Sequence, residues 1–233
     1  MDRINRINRI NRINRINRRG RGGDGGCFFD SLPPLDTFDW IDPSLLMKLL
    51  PLLLLSVTFA SSLPAAEPAL ELQGTDGKMH APLAAGEKKA VLLFFVSPFC
   101  STTRPFMPEI NAIAAEYADR VAVALVHSDA EITVEVALQH ADMSAVKATV
   151  LVDKEQKLAR QVAAAITPEA VLLSPAGTVL YKGRINDLYL GPTKRQRAAS
   201  TKDLRDALEA VLSGKAVVSL HPPAQGCKIG GLK

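Results

Sequence analysis

The chain has 233 residues, 47% of them hydrophobic and 22% charged, which suits one cored domain with extensions at its ends. The formal net charge of +4 sits mostly at the front: residues 1–46 hold eight Arg against six Asp, Lys48 adds one, and residues 67–233 carry only +1. A nearly neutral domain argues against a nucleic-acid-binding face, and three cysteines, at 27, 100 and 227, exclude a disulfide framework.

Residues 3–17 repeat Arg-Ile-Asn five times. That three-residue period matches no solenoid, and Ile every third residue drifts around a helix instead of forming a face. Residues 1–46 therefore read as a low-complexity leader, either without a fold or upstream of the true start. Cys27 lies in its Gly-rich part. Met47 and Lys48 then open the apolar run Leu49–Ala60, which exits through small residues at Ala60–Ser62 and Ala65–Ala66. Positive start, apolar middle and small-residue exit predict a signal peptide over 47–66, with the mature N-terminus between Leu63 and Glu67. The expected location is the periplasm or another extracytoplasmic space. The run is short and broken by Pro51 and Ser56, so no membrane span is expected in the mature form.

The domain is expected over 67–214. Ala69–Gln73 alternates and precedes the turn Gly74–Gly77, predicting a short first strand. Ala90–Val96 is continuously apolar, as for a central strand buried on both faces. Pro105–Arg120 is helical, with Ile110, Ile113, Ala114 and Tyr117 on one face. Val121–His127 is a second buried strand, completing a βαβ unit. Glu131–Met143 is helical, Thr149–Asp153 a short strand, and Leu158–Ala165 a short helix. After the break at Ile166-Thr167-Pro168, Glu169–Leu173 and Thr178–Tyr181 form a β-hairpin. Thr201–Leu212 is a last helix, with Thr201 as N-cap and Gly214 as its stop. Lys215–Lys233 is a flexible tail carrying Cys227. This order predicts an α/β fold, a mixed central sheet with helices on both faces.

Cys100 ends a strand and precedes a helix. Unpaired helical N–H groups and the positive end of the macrodipole stabilise a thiolate there, which makes the sulfur a better nucleophile. His127 with Asp129 beside it could pair with Cys100, but a solvated loop histidine is the reading its position favours. His221 and Cys227 are two candidate soft-metal ligands, short of the usual four. Neither a phosphate loop, a paired-carboxylate signature nor a zinc motif occurs, so no cofactor and no metal are expected.

Phe94-Phe95-Val96 leading to Cys100, Pro108 eight residues later, Thr167-Pro168-Glu169 before a hairpin, and Ser174–Tyr181 followed by Gly183 together resemble the thioredoxin fold. The helix Met107–Tyr117, the stretch Tyr181–Asp187 and the tail's Gly226-Cys227-Lys228-Ile229 resemble the bacterial redoxins related to alkyl hydroperoxide reductase and the thiol-specific antioxidants. The resemblance spans about residues 69–229 and implies a three-layer α/β/α domain. It implies that Cys100 is the nucleophile and that Pro168 is a cis-proline lying beside it; in the mechanism expected here, Thr103 and the Thr167 backbone orient the partner. Two departures matter. The fourth position of Cys-x-x-Cys is Thr103, and the threonine that peroxidases of the superfamily carry three residues before the cysteine is Ser97.

A thiol oxidoreductase without a second Cys-x-x-Cys thiol needs a resolving thiol from elsewhere, and Cys227 is the one other cysteine past residue 66. It is expected to resolve or cap Cys100, within one chain or across a dimer; the alternative is a tail cysteine with no partner, or one that docks on the core. The expected activity is an exported thiol–disulfide oxidoreductase acting on protein thiols or disulfides. A peroxiredoxin-type peroxidase acting on peroxide and a non-catalytic binding module of the same fold are the rivals.

Overall fold

The computed structural model describes residues 69–217 and 222–233. The leader, the signal-peptide segment 47–66 and His221 lie outside the described residues. The elements are β1 (Leu72–Gly74), β2 (Met79–His80), β3 (Ala90–Phe95), α1 (Thr103–Tyr117), β4 (Val121–His127), α2 (Val134–Met143) and β5 (Thr149–Val152). They continue with α3 (Lys157–Gln161), β6 (Ile166–Thr167), β7 (Glu169–Leu173), β8 (Val179–Gly183), α4 (Asp203–Leu212) and β9 (Cys227–Lys228).

Seven strands form one sheet in the order β2-β1-β5-β4-β3-β7-β8. β3, β4 and β5 run parallel, while β7, β8, β1 and β2 add antiparallel edges. All six residues of β3 are buried, because it is central and covered on both faces. Its side chains alternate between two cores. Leu92 and Phe94 join Phe106, Ile110 and Leu208, from α1 and α4. Val91, Leu93 and Phe95 join Leu158 and Ala159 of α3, and also Ile229 of the C-terminal segment. This is a three-layer α/β/α domain around a mixed sheet.

Local sequence explains most of the boundaries. Proline occupies the third position of α1, where no intrahelical donor is needed. The helix therefore starts at Thr103, two residues earlier than the sequence suggested, and keeps Pro108 inside it. Thr133 caps α2 by accepting the Val136 N–H at 3.3 Å. Past α4, Gly214 takes φ +72°, a left-handed angle that glycine adopts at no steric cost, and the helix stops. α3 is shorter than the predicted Leu158–Ala165, because Ala163 turns left-handed at φ +54°.

The C-terminal segment departs furthest from a local reading. Residues 227–228 form β9, which pairs antiparallel with β6 in a separate two-stranded ladder: Ile166 faces Lys228 and Thr167 faces Cys227. Pro222 O accepts from Arg184 N at 3.0 Å, and Ile229 N donates to Ala165 O at 2.9 Å. The Ile229 side chain is only 3% exposed. In this state the segment is packed onto the domain.

Candidate active site

The C-terminal ends of parallel strands are where an open α/β sheet gathers its functional loops. Here β3 delivers Ser97–Cys100, β4 delivers Ser128–Asp129, and the break before β7 delivers Thr167–Pro168. Cys100 lies in the turn ahead of α1, and Thr103 N donates to its carbonyl at 3.1 Å. The Thr167–Pro168 peptide is cis. Cys100 Sγ lies 3.1 Å from Thr167 O. The expected neighbours, Cys100, Thr167 and Pro168, are thus brought together.

Cys100 and Cys227 form a disulfide, with Cα atoms 5.8 Å apart and a sequence separation of 127. That separation falls within the range such a bond requires. Cys100 is 4% exposed, covered by β9. A bonded sulfur has no proton to give, so the Thr102 hydroxyl is the donor in its 2.9 Å contact with Cys100 Sγ. The same hydroxyl is 3.5 Å from Thr167 O.

Thr102 was not among the residues that sequence reasoning singled out. Thr103 was, but its hydroxyl oxygen accepts the Ser97 N–H at 3.4 Å and braces the loop. Motif spacing pointed to the fourth position of Cys-x-x-Cys, whereas the sulfur meets the third. Ser97 Oγ accepts from Phe99 N at 3.2 Å.

A cavity of about 420 Å³ opens beside the disulfide, lined by Ser97, Phe99, Cys100, Asp129, Cys227 and Gly230 among others. Asp129 Oδ1 accepts from Gly230 N at 3.0 Å, so its carboxylate anchors the C-terminal segment. A second hollow of about 770 Å³ lies on the α1 side of Cys100 and is bordered by Arg104, Asn111, His140 and Met143.

His127 departs from the expected solvated loop position. It is the last residue of β4 and fully buried. His127 Nε2 and His140 Nδ1 are 2.9 Å apart, with their rings edge to face. Burial first, then repulsion from His140, lowers its pKa to about 3. Burial also lowers the pKa of His140. His127 therefore belongs to a neutral pair under the sheet, reached through α2, which local sequence does not register. Among the described residues no group of three His, Cys, Asp or Glu is arranged to hold a metal ion, and no helix is long and apolar enough to cross a membrane.

A sheet of this order, a cysteine in the turn before α1 and a cis-proline loop at its sulfur define a thioredoxin-fold redoxin. Residues 65–182 match the AhpC/TSA family, and the chain belongs to that family. No curated protein sequence matches the chain. Among solved structures it is similar to an uncharacterised conserved protein of Geobacillus kaustophilus, at 22% identity and a TM-score of 0.63, covering 71% of this chain and 89% of that one. It is also similar to a hypothetical protein of Sinorhizobium meliloti, at 26% identity and a TM-score of 0.61, covering 69% and 89%.

Proposed function

We propose that this protein is an exported thiol–disulfide oxidoreductase in which Cys100 is the nucleophile and Cys227 the second thiol. The observation that carries the reading is the Cys100–Cys227 pair at a strand-to-helix turn, against the Thr167 carbonyl. In the reduced protein, the Cys100 thiolate is favoured by the Thr102 hydroxyl and by the N-terminal end of α1. It attacks one sulfur of a partner disulfide, forming a mixed disulfide and releasing the partner's other sulfur as a thiolate. The Cys227 thiolate then attacks Cys100 Sγ and releases the partner's remaining sulfur. Two electrons pass to the partner, and the Cys100–Cys227 disulfide is left. An external dithiol reverses the sequence.

Thr167 offers its backbone to the partner beside Pro168, while Thr103 shapes the loop through Ser97. The apolar run and small-residue exit over 47–66 support export, and an oxidising compartment is where a disulfide of this kind persists. A domain that starts near 67 fits the same reading, with the segment after 214 docked back onto it as a redox strand.

The test is electron transfer from the reduced protein to insulin or oxidised glutathione. Wild type is expected to transfer two electrons, Cys100→Ser none, and Cys227→Ser to stop at a stable mixed disulfide through Cys100. Turnover by Cys100→Ser would defeat the proposal. Consumption of peroxide with no disulfide reduction would move the protein to the peroxidase class. N-terminal sequencing of protein from its native host is expected to start between Leu63 and Glu67; an intact Met1 would defeat export through this signal.

A further inference from the structure

The C-terminal segment lies over Cys100 as an added β-strand, and each of its positions meets a different constraint. Gly226 approaches the Thr167 backbone so closely that a Cβ there would sit 2.1 Å from Thr167 O and 2.8 Å from its carbonyl carbon. Cys227 is paired with Thr167, which aims its sulfur at Cys100. Lys228 points to solvent. Ile229 enters the core that holds Phe95, Leu158 and Val162. Gly230 donates to Asp129 Oδ1 at 3.0 Å and accepts from Ala130 N at 3.0 Å and from Gln156 Nε2 at 2.8 Å. Gly231 takes φ +78°, and a Cβ there would lie 2.6 Å from that of Ala130.

No partner sulfur reaches Cys100 while this strand is docked. Once it lifts, the edge of β6, the Ala165 carbonyl and the Ala130 N–H lose their partners, the Gln156 amide keeps Ser128 O but loses Gly230 O, and an apolar pocket opens. An unpaired strand edge beside an apolar pocket is a template for another extended segment. Phe99, 64% exposed at the rim of the same cavity, adds aromatic surface for a polypeptide.

We propose that the groove along Thr167, Ala165 and Asp129 selects partner proteins presenting a cysteine in an extended segment of the pattern glycine, cysteine, any residue, aliphatic residue, glycine. Residues 226–230 are the chain's own copy of that pattern and hold the site when no partner is present. The proposal rests on the reading of Cys100 as the attacking nucleophile.

The test uses the full chain with Cys227→Ser, reduced, and peptides copying residues 224–230 whose cysteine carries thionitrobenzoate in a disulfide. The Cys100 thiolate attacks the peptide sulfur, the peptide–thionitrobenzoate S–S bond breaks, and the coloured thionitrobenzoate anion leaves with the electron pair. Three peptides are compared: the copy, one with Gly226→Val and one with Ile229→Asp. The changes are in the peptides, so the protein's folding is common to all arms, and its own tail competes equally with each. The copy is expected to react about tenfold faster than either variant: the lost burial of one aliphatic side chain implies it for Ile229→Asp, and the clash of a Cβ with Thr167 O slows Gly226→Val. Ratios below threefold would overturn the proposal and leave the oxidoreductase reading intact. Release from none of the peptides, nor from the free bis-thionitrobenzoate disulfide, would overturn the reading of Cys100 and the proposal with it.

Discussion

The substitution Ile229→Ala is expected to make the Cys100–Cys227 disulfide easier to reduce. Ordering residues 226–230 costs about 5–10 kcal/mol of backbone freedom. The bonds from Ile229 N to Ala165 O, Ala130 N to Gly230 O, Gly230 N to Asp129 Oδ1 and Gln156 Nε2 to Gly230 O, with the β6–β9 ladder, return about 1 kcal/mol each. Burial of Ile229, at 3% exposure, adds about 2 kcal/mol. The two sides nearly balance, so without the covalent bond the segment is docked only part of the time. Ile229→Ala removes at least about 2 kcal/mol from the docked state. At about 30 mV per 1.4 kcal/mol for a two-electron couple, the reduction potential should rise by about 40 mV. Equilibration against glutathione buffers, with thiol trapping and a gel shift, measures it. A change below about 10 mV, with a lower denaturation midpoint for the oxidised variant, would show that the reduced segment stays fully docked and would refute the reasoning.

Reducing the disulfide should itself lower stability by about 5 kcal/mol, because a bond spanning 127 positions constrains a long unfolded loop; paired urea titrations of the oxidised and reduced chain check this. Thr102→Val should raise the pKa of the reduced Cys100 thiol by about 1, through loss of one hydroxyl donor to the thiolate, whereas Thr103→Val should leave it unchanged; the rate of alkylation against pH separates the two. His127 and His140 are held neutral in the fold, so below the ordinary histidine pKa of about 6.5 the unfolded chain binds protons that the folded chain refuses. Stability should therefore fall as pH drops from about 6.5 toward 3, by up to about 1.4 kcal/mol per pH unit from His127 alone. A double variant, His127→Phe with His140→Leu, should flatten that slope in denaturation curves at stepped pH.

Local pattern carried the parts of this protein that depend on near neighbours. The unbroken apolar run of β3 announced a strand buried on both faces, and β4 was read to the residue as Val121–His127. The hairpin of β7 and β8 was read from two short runs around Ser174–Gly177, and the place of Cys100 from a strand running into a helix. These features follow from side-chain periodicity and turn chemistry, which act over a few residues. The family resemblance supplied the cis-proline, which sequence chemistry alone would have made trans. What the tertiary structure decided are contacts between distant segments. A glycine-rich tail read as flexible is here strand β9, because Gly226 and Gly231 let it approach backbone 59 or more residues away and Ile229 finds an apolar pocket there. His127 is buried because α2 brings His140 under the end of β4. The hydroxyl at the sulfur belongs to Thr102, because the helix phase set at Thr103 turns the next side chain toward Ser97. Burial, pairing and close approach are properties of two segments at once, and a local pattern records only one of them.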